Sequence, residues 1–320
     1  MKISYLKIFT WHIHGSYLYY LSQGNFTIYI PVNKEKSEGY TGRGDTFNFR
    51  QNVIEVDAAN VPRLDVDCIL FQSSKNYLVD QYDVLSESQR KLPRIFLEHD
   101  PPRNQPTDSR HVVEDPDVLT VHVTYFNQLM WQNEGPTTVV EHGVTVPSAI
   151  KYSGQIEKGL VVVNNLHKRG RRLGADIFDK VKTEVPLDLV GMGTKEFGGL
   201  GEVKYHDLPE FASRYRFFFN PIRYTSLGLA FLEAMMAGIP VVCFASTEYA
   251  TVIRDKENGF AHTNIDYLVQ RMKQLISDPK LAMSLGQEGK ETVNKRFNID
   301  RFCKDWQNVF DSKIYKSRYL

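Results

Sequence analysis

Glu233 lies within Phe231-Leu232-Glu233-Ala234-Met235-Met236, and a carboxylate in so apolar a segment wants a partner. A few residues upstream, Thr225 and Ser226 offer hydroxyls, and Leu227, Gly228 and Leu229 carry the chain toward that segment. If Thr225 or Ser226 caps a helix, its first-turn amides and aligned peptide dipoles present roughly half a positive charge, which suits a phosphate. Cations gather in a second place, His167-Lys168-Arg169-Gly170-Arg171-Arg172, directly after an apolar run. His99 stands between Ile95-Phe96-Leu97-Glu98 and Asp100-Pro101-Pro102, where the prolines force the chain out of regular structure. Together these residues can hold an anionic, phosphate-bearing ligand beside a carboxylate and an imidazole.

The elements that must position them emerge from hydrophobic pattern and punctuation. Phe217 to Phe219 is short enough for a buried strand, and Asn220-Pro221 closes it. Leu229, Leu232 and Met236 then recur at helical spacing until Gly238 and Pro240, and Ile239 to Phe244 reads as the next strand. In such a strand, loop, helix, strand unit the helix N-terminus faces the carboxyl ends of the strands, where open α/β sheets bind ligands. Leu160 to Val163 opens this half, and a helix through Lys182 comes after the basic turn. Leu187 to Val190 leads into Gly191-Met192-Gly193, a turn with room for a ligand. Helices are expected at Asp266 to Ser277 and on to Lys295, and a last one at Phe297 to Phe310 with Phe302, Trp306 and Phe310 on one stripe.

The amino-terminal half reads in the same way. Ile3 to Trp11 is a strand, His12 to Ser16 a turn, and Ser16 to Leu21 a helix. Gly15 at that turn either lets a ligand approach the backbone or simply makes the turn tight. Further strands are expected at Phe26 to Val32, Asp67 to Phe71, Pro93 to Leu97, Leu119 to Val123 and Thr138 to Glu141. The polar, glycine-rich stretch from Lys34 to Asn52 reads as an exposed loop, and Pro147 to Lys158 as the linker between two domains. Asp65-Val66-Asp67 precedes an apolar run rather than coming after one, so it reads as a strand start and not as a metal site.

A chain of 320 residues suits two domains, and Lys plus Arg (39) nearly balances Asp plus Glu (38), so no global basic field points to nucleic acid. Cys68, Cys243 and Cys303 lack metal-ligand spacing, and the first two sit in strand-like apolar runs. That usage fits a reducing cytoplasm. No apolar run approaches the ~20 residues that span a bilayer, and the amino end lacks a signal-peptide core. The expectation is a cytoplasmic protein with at most peripheral attachment at the inner face of a membrane.

The order Pro221, Ser-Leu-Gly-Leu (226–229), Leu-Glu-Ala-Met (232–235), Ala-Gly (237–238), Pro-Val-Val (240–242) resembles the donor-binding signature of family-4 retaining glycosyltransferases. The resemblance is specific across about Gly159 to Phe310 and looser before it. It implies the GT-B fold: an α/β protein of two Rossmann-like, doubly wound domains facing across a cleft. Residues 1–150 would form the acceptor-side domain and 158–297 the nucleotide-sugar donor domain, with 298–320 a helix crossing back onto the first. In the family the second of two glutamates holds the nucleotide ribose, a role that falls on Glu233. The first, which touches the transferred sugar, falls on Thr225. A histidine at the strand end matching His99 hydrogen-bonds the donor sugar near the reacting carbon. A basic turn neutralises the diphosphate, with Arg169 before Gly170 in the place of the family's lysine. Gly15, Gly191, Gly193 and the loop Thr225, Ser226, Leu227, Gly228, Leu229 complete the implied donor site.

The resemblance further implies a metal-independent enzyme without a bound cofactor, using a nucleotide-diphosphate sugar as co-substrate. Its acceptor would be a glycan, a lipid-linked or a small-molecule hydroxyl, in bacterial-type surface glycan synthesis. Two other functions stay open at this point. One is a sugar-nucleotide 2-epimerase of the same architecture, which needs no acceptor. The other is a non-catalytic sugar-nucleotide or glycan-binding protein, suggested by threonine at position 225 where the family has glutamate.

Overall fold

The computed structural model describes residues 5–318, and these divide into two compact units, 5–143 with 299–318 and 144–298. The expected first strand began at Ile3, which lies outside the described residues. Among the described residues the first unit is built on a parallel sheet of strands β1 (Leu6–Thr10), β2 (Phe26–Val32), β3 (Val53–Asp57), β4 (Cys68–Phe71), β5 (Arg94–Glu98), β6 (Val118–His122) and β7 (Thr137–Val139). Their spatial order is β3-β2-β1-β4-β5-β6-β7. Helices α1 (Gly15–Leu21), α2 (Gln81–Val84) and α3 (Tyr125–Met130) belong to the same unit. Strand β4 is buried at every position, as expected of a parallel strand covered on both faces. Asp65 and Asp67 are spent on its entry, for Asp67 accepts the Lys7 amide at 2.9 Å and Asp65 pairs with the Lys7 ammonium at 2.6 Å.

Two expectations for this unit need correction. The stretch from Lys34 to Asn52 is not simply an exposed loop. Tyr40 and Phe49 are buried, Phe47 stacks on Tyr19, and Thr41 bridges to Val32. Its aromatic residues supply apolar area that the polar majority conceals. The stretch also leads into β3, an edge strand in which Glu55 and Asp57 interrupt the apolar residues and weaken the signal.

The second unit carries strands β8 (Ile156–Val162), β9 (Leu187–Val190), β10 (Tyr215–Asn220), β11 (Val241–Cys243) and β12 (Phe260–Ala261), all parallel, in the order β12-β11-β10-β8-β9. Helices α4 (Leu166–Arg169), α5 (Ala175–Val181), α6 (Leu208–Ser213), α7 (Leu229–Met236), α8 (Tyr249–Val252), α9 (Ile265–Ser277) and α10 (Pro279–Arg296) connect and cover them. Strand β10 is buried at all six positions and forms the centre of the sheet. Asn264 and Asp278 cap α9 and α10 by accepting first-turn amides, which fixes where those helices begin.

The segment 147–158 does not hang free as a linker. Ser153 and Gly154 give their amides to the Ser213 carbonyl, the Tyr152 hydroxyl donates to the Arg216 carbonyl at 2.7 Å, and the buried Arg216 returns a bond to the Gly154 carbonyl at 2.7 Å. The boundary between the units falls earlier, between Gly143 and Val144. A last helix, α11 (Ile299–Arg318), belongs to the first unit. Phe302, Trp306 and Phe310 are fully buried there, Trp306 Nε1 donates to the Tyr17 hydroxyl at 3.0 Å, and Phe310 packs edge-on against Phe26. No helix among the described residues is long and apolar enough to cross a membrane.

Candidate functional site

In the carboxy-terminal unit, the loop 221–228 after β10 leads into α7, and Glu233 sits on the second turn of that helix with 7% of its surface exposed. One of its partners is Tyr205, whose hydroxyl donates to Glu233 Oε1 at 3.0 Å from the segment just before α6. A buried carboxylate that accepts from a phenol keeps acceptor capacity for further hydroxyls, since it offers about four lone-pair positions. The start of α7 differs from expectation. Thr225 and Ser226 do not cap it; Gly228 does, in an extended conformation and without a side-chain cap bond. The Gly228 amide is satisfied instead by Tyr249, whose buried hydroxyl accepts it at 3.0 Å. A tyrosine delivered from α8 thus anchors the cap residue itself, and no side-chain cap bond is made to the first-turn amides. Thr225 is left half-buried in the loop and Ser226 buried.

Gly191 and Gly193 turn the chain after β9. Both have positive φ, at 137° and 66°, and a Cβ on either would meet the facing turn, Val163 and Asn164 in one case and Asn165 in the other. The two turns are clamped together: Asn165 donates its amide to the Met192 carbonyl at 2.7 Å, and the Asn164 side chain accepts the Met192 amide at 2.9 Å. The glycines therefore bring the Gly-Met-Gly turn against the turn that begins the basic stretch. Arg169 ends α4 there, exposed, with Gly170 at φ 62° behind it.

Arg171 and Arg172 have structural bonds. Arg171 pairs with Asp176 at 2.8 Å, and Arg223 from the loop after β10 makes a fork to the same carboxylate at 2.6 and 2.7 Å. The Arg172 carbonyl accepts the amides of Arg223 and Tyr224. The Arg223 guanidinium, above all by its hydrogen bond, holds the Asp176 carboxyl below its ordinary value. This fork ties the basic turn to the loop that carries Thr225.

In the amino-terminal unit His99 lies just past β5. Its ring is 3.9 Å, centroid to centroid, from His14 and meets the Tyr17 ring edge-on, and its Nε2 lies 3.3 Å from Gln72 Oε1. Burial first, then the neighbouring His14 and His142, hold its imidazole well below the ordinary value, so it is neutral near pH 7. Gly15 has a packing reason: a Cβ there would collide with the Phe47 ring. His14, Gln72, Glu98, His99, Arg103 and Trp131 help line a cleft of about 710 Å³ within this unit. Glu98 accepts the Asp100 amide at 2.8 Å and the buried His111 Nε2 at 3.1 Å, while His111 Nδ1 accepts the Val113 amide. That arrangement fixes His111 as the neutral tautomer with its proton on Nε2.

The expected residues thus form separate groups. Glu233 with Thr225 to Leu229, and Arg169 with Gly191 and Gly193, lie in the carboxy-terminal unit; His99 and Gly15 lie in the other. Tyr205, Tyr249, Asp176 and Arg223 were not singled out from sequence for the side-chain roles they have here. Nor were His14, Gln72 and the His111–Glu98 pair. The one available signal was Tyr205, an aromatic residue inside the mostly charged run Glu202 to Asp207.

Comparison with known structures identifies the fold as GT-B. The chain superimposes on sucrose-phosphate synthase from Thermosynechococcus elongatus with a TM-score of 0.71 at 14% identity, covering 96% of this chain and 98% of that one. It superimposes on HepE of Anabaena, in complex with UDP-glucose, with a TM-score of 0.70 at 15% identity, covering 96% and 100%. The model of "Glycosyl transferases group 1" matches residues 194–292, which include Tyr205, Thr225 and Glu233. Over a similar length the chain is 29% identical, across 94 residues, to the poly(ribitol-phosphate) alpha-N-acetylglucosaminyltransferase of Staphylococcus aureus, covering 28% of this chain and 19% of that protein. It is 34% identical across 97 residues to the O-antigen chain mannosyltransferase B of Escherichia coli, covering 30% and 26%. The matches thus span about a fifth to a quarter of these curated relatives.

Proposed function

We propose that the protein is a retaining glycosyltransferase that moves a sugar from a nucleotide diphosphate to an acceptor hydroxyl in surface glycan synthesis, without a metal ion. The observation that carries this reading is the buried Glu233 on α7, kept in a polar contact by Tyr205 inside the stretch that matches the glycosyltransferase model. A shielded carboxylate at the start of a helix after a central strand suits a ribose diol, and Arg169 on the neighbouring turn suits the diphosphate. Charge that grows on the leaving diphosphate would be met by Arg169 and by the first turn of α7, preorganised electrostatics of the kind that dominates many enzymes. In a same-face displacement the departing phosphate takes the acceptor proton, so no second carboxylate is required at the reacting carbon. The neutral His99 would donate to the sugar, and the cleft beside it would take the acceptor. Because the neighbour HepE was seen with UDP-glucose and the relatives are named for transfer to glycans, uridine diphosphate and its sugars are the first donors to try.

The test is a thermal-shift series of nucleoside diphosphates and then product analysis. A diphosphate at a hundred times its dissociation constant stabilises by about 2.7 kcal/mol, far more than its free base should at the same concentration. Donor alone should yield no new sugar nucleotide, which separates transfer from epimerisation. Donor with a panel of glycan acceptors should yield a product of retained anomeric configuration at a rate that EDTA leaves unchanged. Binding without turnover across the panel would instead identify a binding protein.

A further inference from the structure

We propose that the cleft beside His99 takes an uncharged sugar, lodged against Trp131, and turns away acceptors that carry phosphate or carboxylate; the inference rests on the reading of that cleft as the acceptor site. Its volume, about 710 Å³, is that of a site for a small organic ligand. The lining is polar, and the polarity has a sign. Among the described residues, Glu38, Glu98, Asp100 and Asp108 set four carboxylates on the cleft against the two guanidiniums of Arg103 and Arg110. Both guanidiniums are already engaged, Arg103 by Asp100, and Arg110 by Glu134 at 3.3 Å and Glu114 at 3.8 Å. Exposed ion pairs hold their arginines only weakly, so the pairing alone would not refuse a phosphate. The excess of carboxylates does, and Glu114 and Glu134 add to it. Nor do the imidazoles restore positive charge, because burial keeps His14 and His99 below their ordinary range.

An uncharged sugar meets none of that repulsion. Its hydroxyls both donate and accept, which suits the exposed carboxylates of Glu38 and Asp108 and the hydroxyls and amides of Ser73, Ser74, Asn104 and Gln105 on the same lining. The C–H face of a sugar ring also needs an apolar platform, and Trp131 offers one. It is half-buried, its Nε1 donates to the Asp100 carbonyl at 2.8 Å, and the His111 ring packs against it at 5.1 Å between centroids and 86° between planes. The indole is thus fixed before any ligand arrives, and little side-chain entropy is lost when a sugar lies against it.

The test applies the full chain to an array of neutral oligosaccharides and of the same oligosaccharides carrying phosphate or a uronic acid. At low salt the neutral members should be retained about tenfold better than their charged counterparts, and the gap should narrow in about 0.5 M salt. Reversal of two exposed carboxylates together, Glu38→Lys with Asp108→Lys, should shrink that preference by about three- to tenfold. Trp131→Ala should weaken retention of the neutral sugars by about tenfold, and Trp131→Phe, which keeps an aromatic face, by less. Thermal melting of each variant checks its folding, and the exposed pair of substitutions decides the question of charge even if Trp131→Ala does not fold. Charged oligosaccharides retained as well as the neutral ones, with the variants still altering both, would overturn the inference and leave the acceptor reading standing. If the variants alter retention of neither set, or nothing is retained, the cleft is not the acceptor site, and that reading fails together with the inference.

Discussion

The two units assemble their chemistry in different ways. In the carboxy-terminal unit the candidate groups come from turns at the ends of neighbouring parallel strands: Arg169 after β8, Gly191 and Gly193 after β9, Thr225 and Glu233 after β10. Each is held by its own turn or helix, and the long-range bonds, Tyr205 to Glu233 and Arg223 to Asp176, fasten one turn to the next. The amino-terminal unit instead gathers imidazoles. His14 and His99 meet at a tilt, His142 shares the Tyr17 ring with His99, and His111 and His122 meet edge-on at 5.9 Å beside Trp131. One unit stores fixed charge for an anion; the other buries imidazoles, of which His14, His99 and His122 are held below their ordinary range. The difference predicts opposite sensitivities.

Acid should act most strongly on the amino-terminal unit. Burial pushes His122 down to about 4 from 6.5, and His14 and His99 move in the same direction. A base whose folded value is depressed takes up its proton more readily when unfolded, so the stability that neutral His122 contributes is lost as pH falls from about 6.5 toward 4. His122 alone accounts for about 3 kcal/mol across that window. Trp11, Trp131 and Trp306 all lie in this unit, so urea unfolding monitored by tryptophan fluorescence reads it selectively. Its midpoint should drop between pH 7 and 4.5, and less so in His122→Gln. An unchanged midpoint would erase the contrast.

Removal of a fixed cation comes next. Arg169→Ala should weaken nucleoside diphosphates by about 1.5–3 kcal/mol and the matching nucleosides hardly at all, as titration calorimetry can show. Equal loss for both would make Arg169 a structural residue. His99→Ala should slow transfer by roughly tenfold, about one hydrogen bond, while the affinity for free diphosphate stays within twofold. If diphosphate affinity falls as well, the histidine group and the anion site are not separate devices. The smallest effect is expected of Thr225→Ala. Because α7 is capped at Gly228 and not at Thr225, the melting temperature should move by no more than the equivalent of about 0.5 kcal/mol, and any loss should appear in turnover of the intact donor. A clear drop in melting temperature would restore the threonine as a cap.

The legibility of the chain from its sequence divides along the same line. Strand β2 falls where its β-branched run ends, and β10 where Asn220 and Pro221 close the aromatic run, because these signals are local. Glu233 could be marked as needing a partner, since an acid among Leu232, Ala234 and Met235 is anomalous by itself. That one such partner is Tyr205 depends on how α6 packs beside α7, which no spacing in the chain encodes. The expected caps went wrong for a related reason. A hydroxyl just before an apolar run is a sound local rule, and here α7 instead starts at Gly228, which a tyrosine from α8 anchors. The bonds of the basic turn were not legible either, because its counter-charge Asp176 is shared with Arg223, which belongs to another loop. The aromatic residues of 34–52 were hidden by averaging over a polar stretch.

Helix α11 has a consequence for how the protein is made. Tyr17 and Phe26 are covered by Phe302, Trp306 and Phe310, so the core of the amino-terminal unit stays unfinished until residues beyond the whole carboxy-terminal unit have left the ribosome. At ordinary rates of synthesis that interval is on the order of 10–30 s. The unit begun first is therefore completed last. During that time an uncovered aromatic face near the start of the chain is a natural client for a chaperone, and a nascent chain stalled before residue 299 should be held by one.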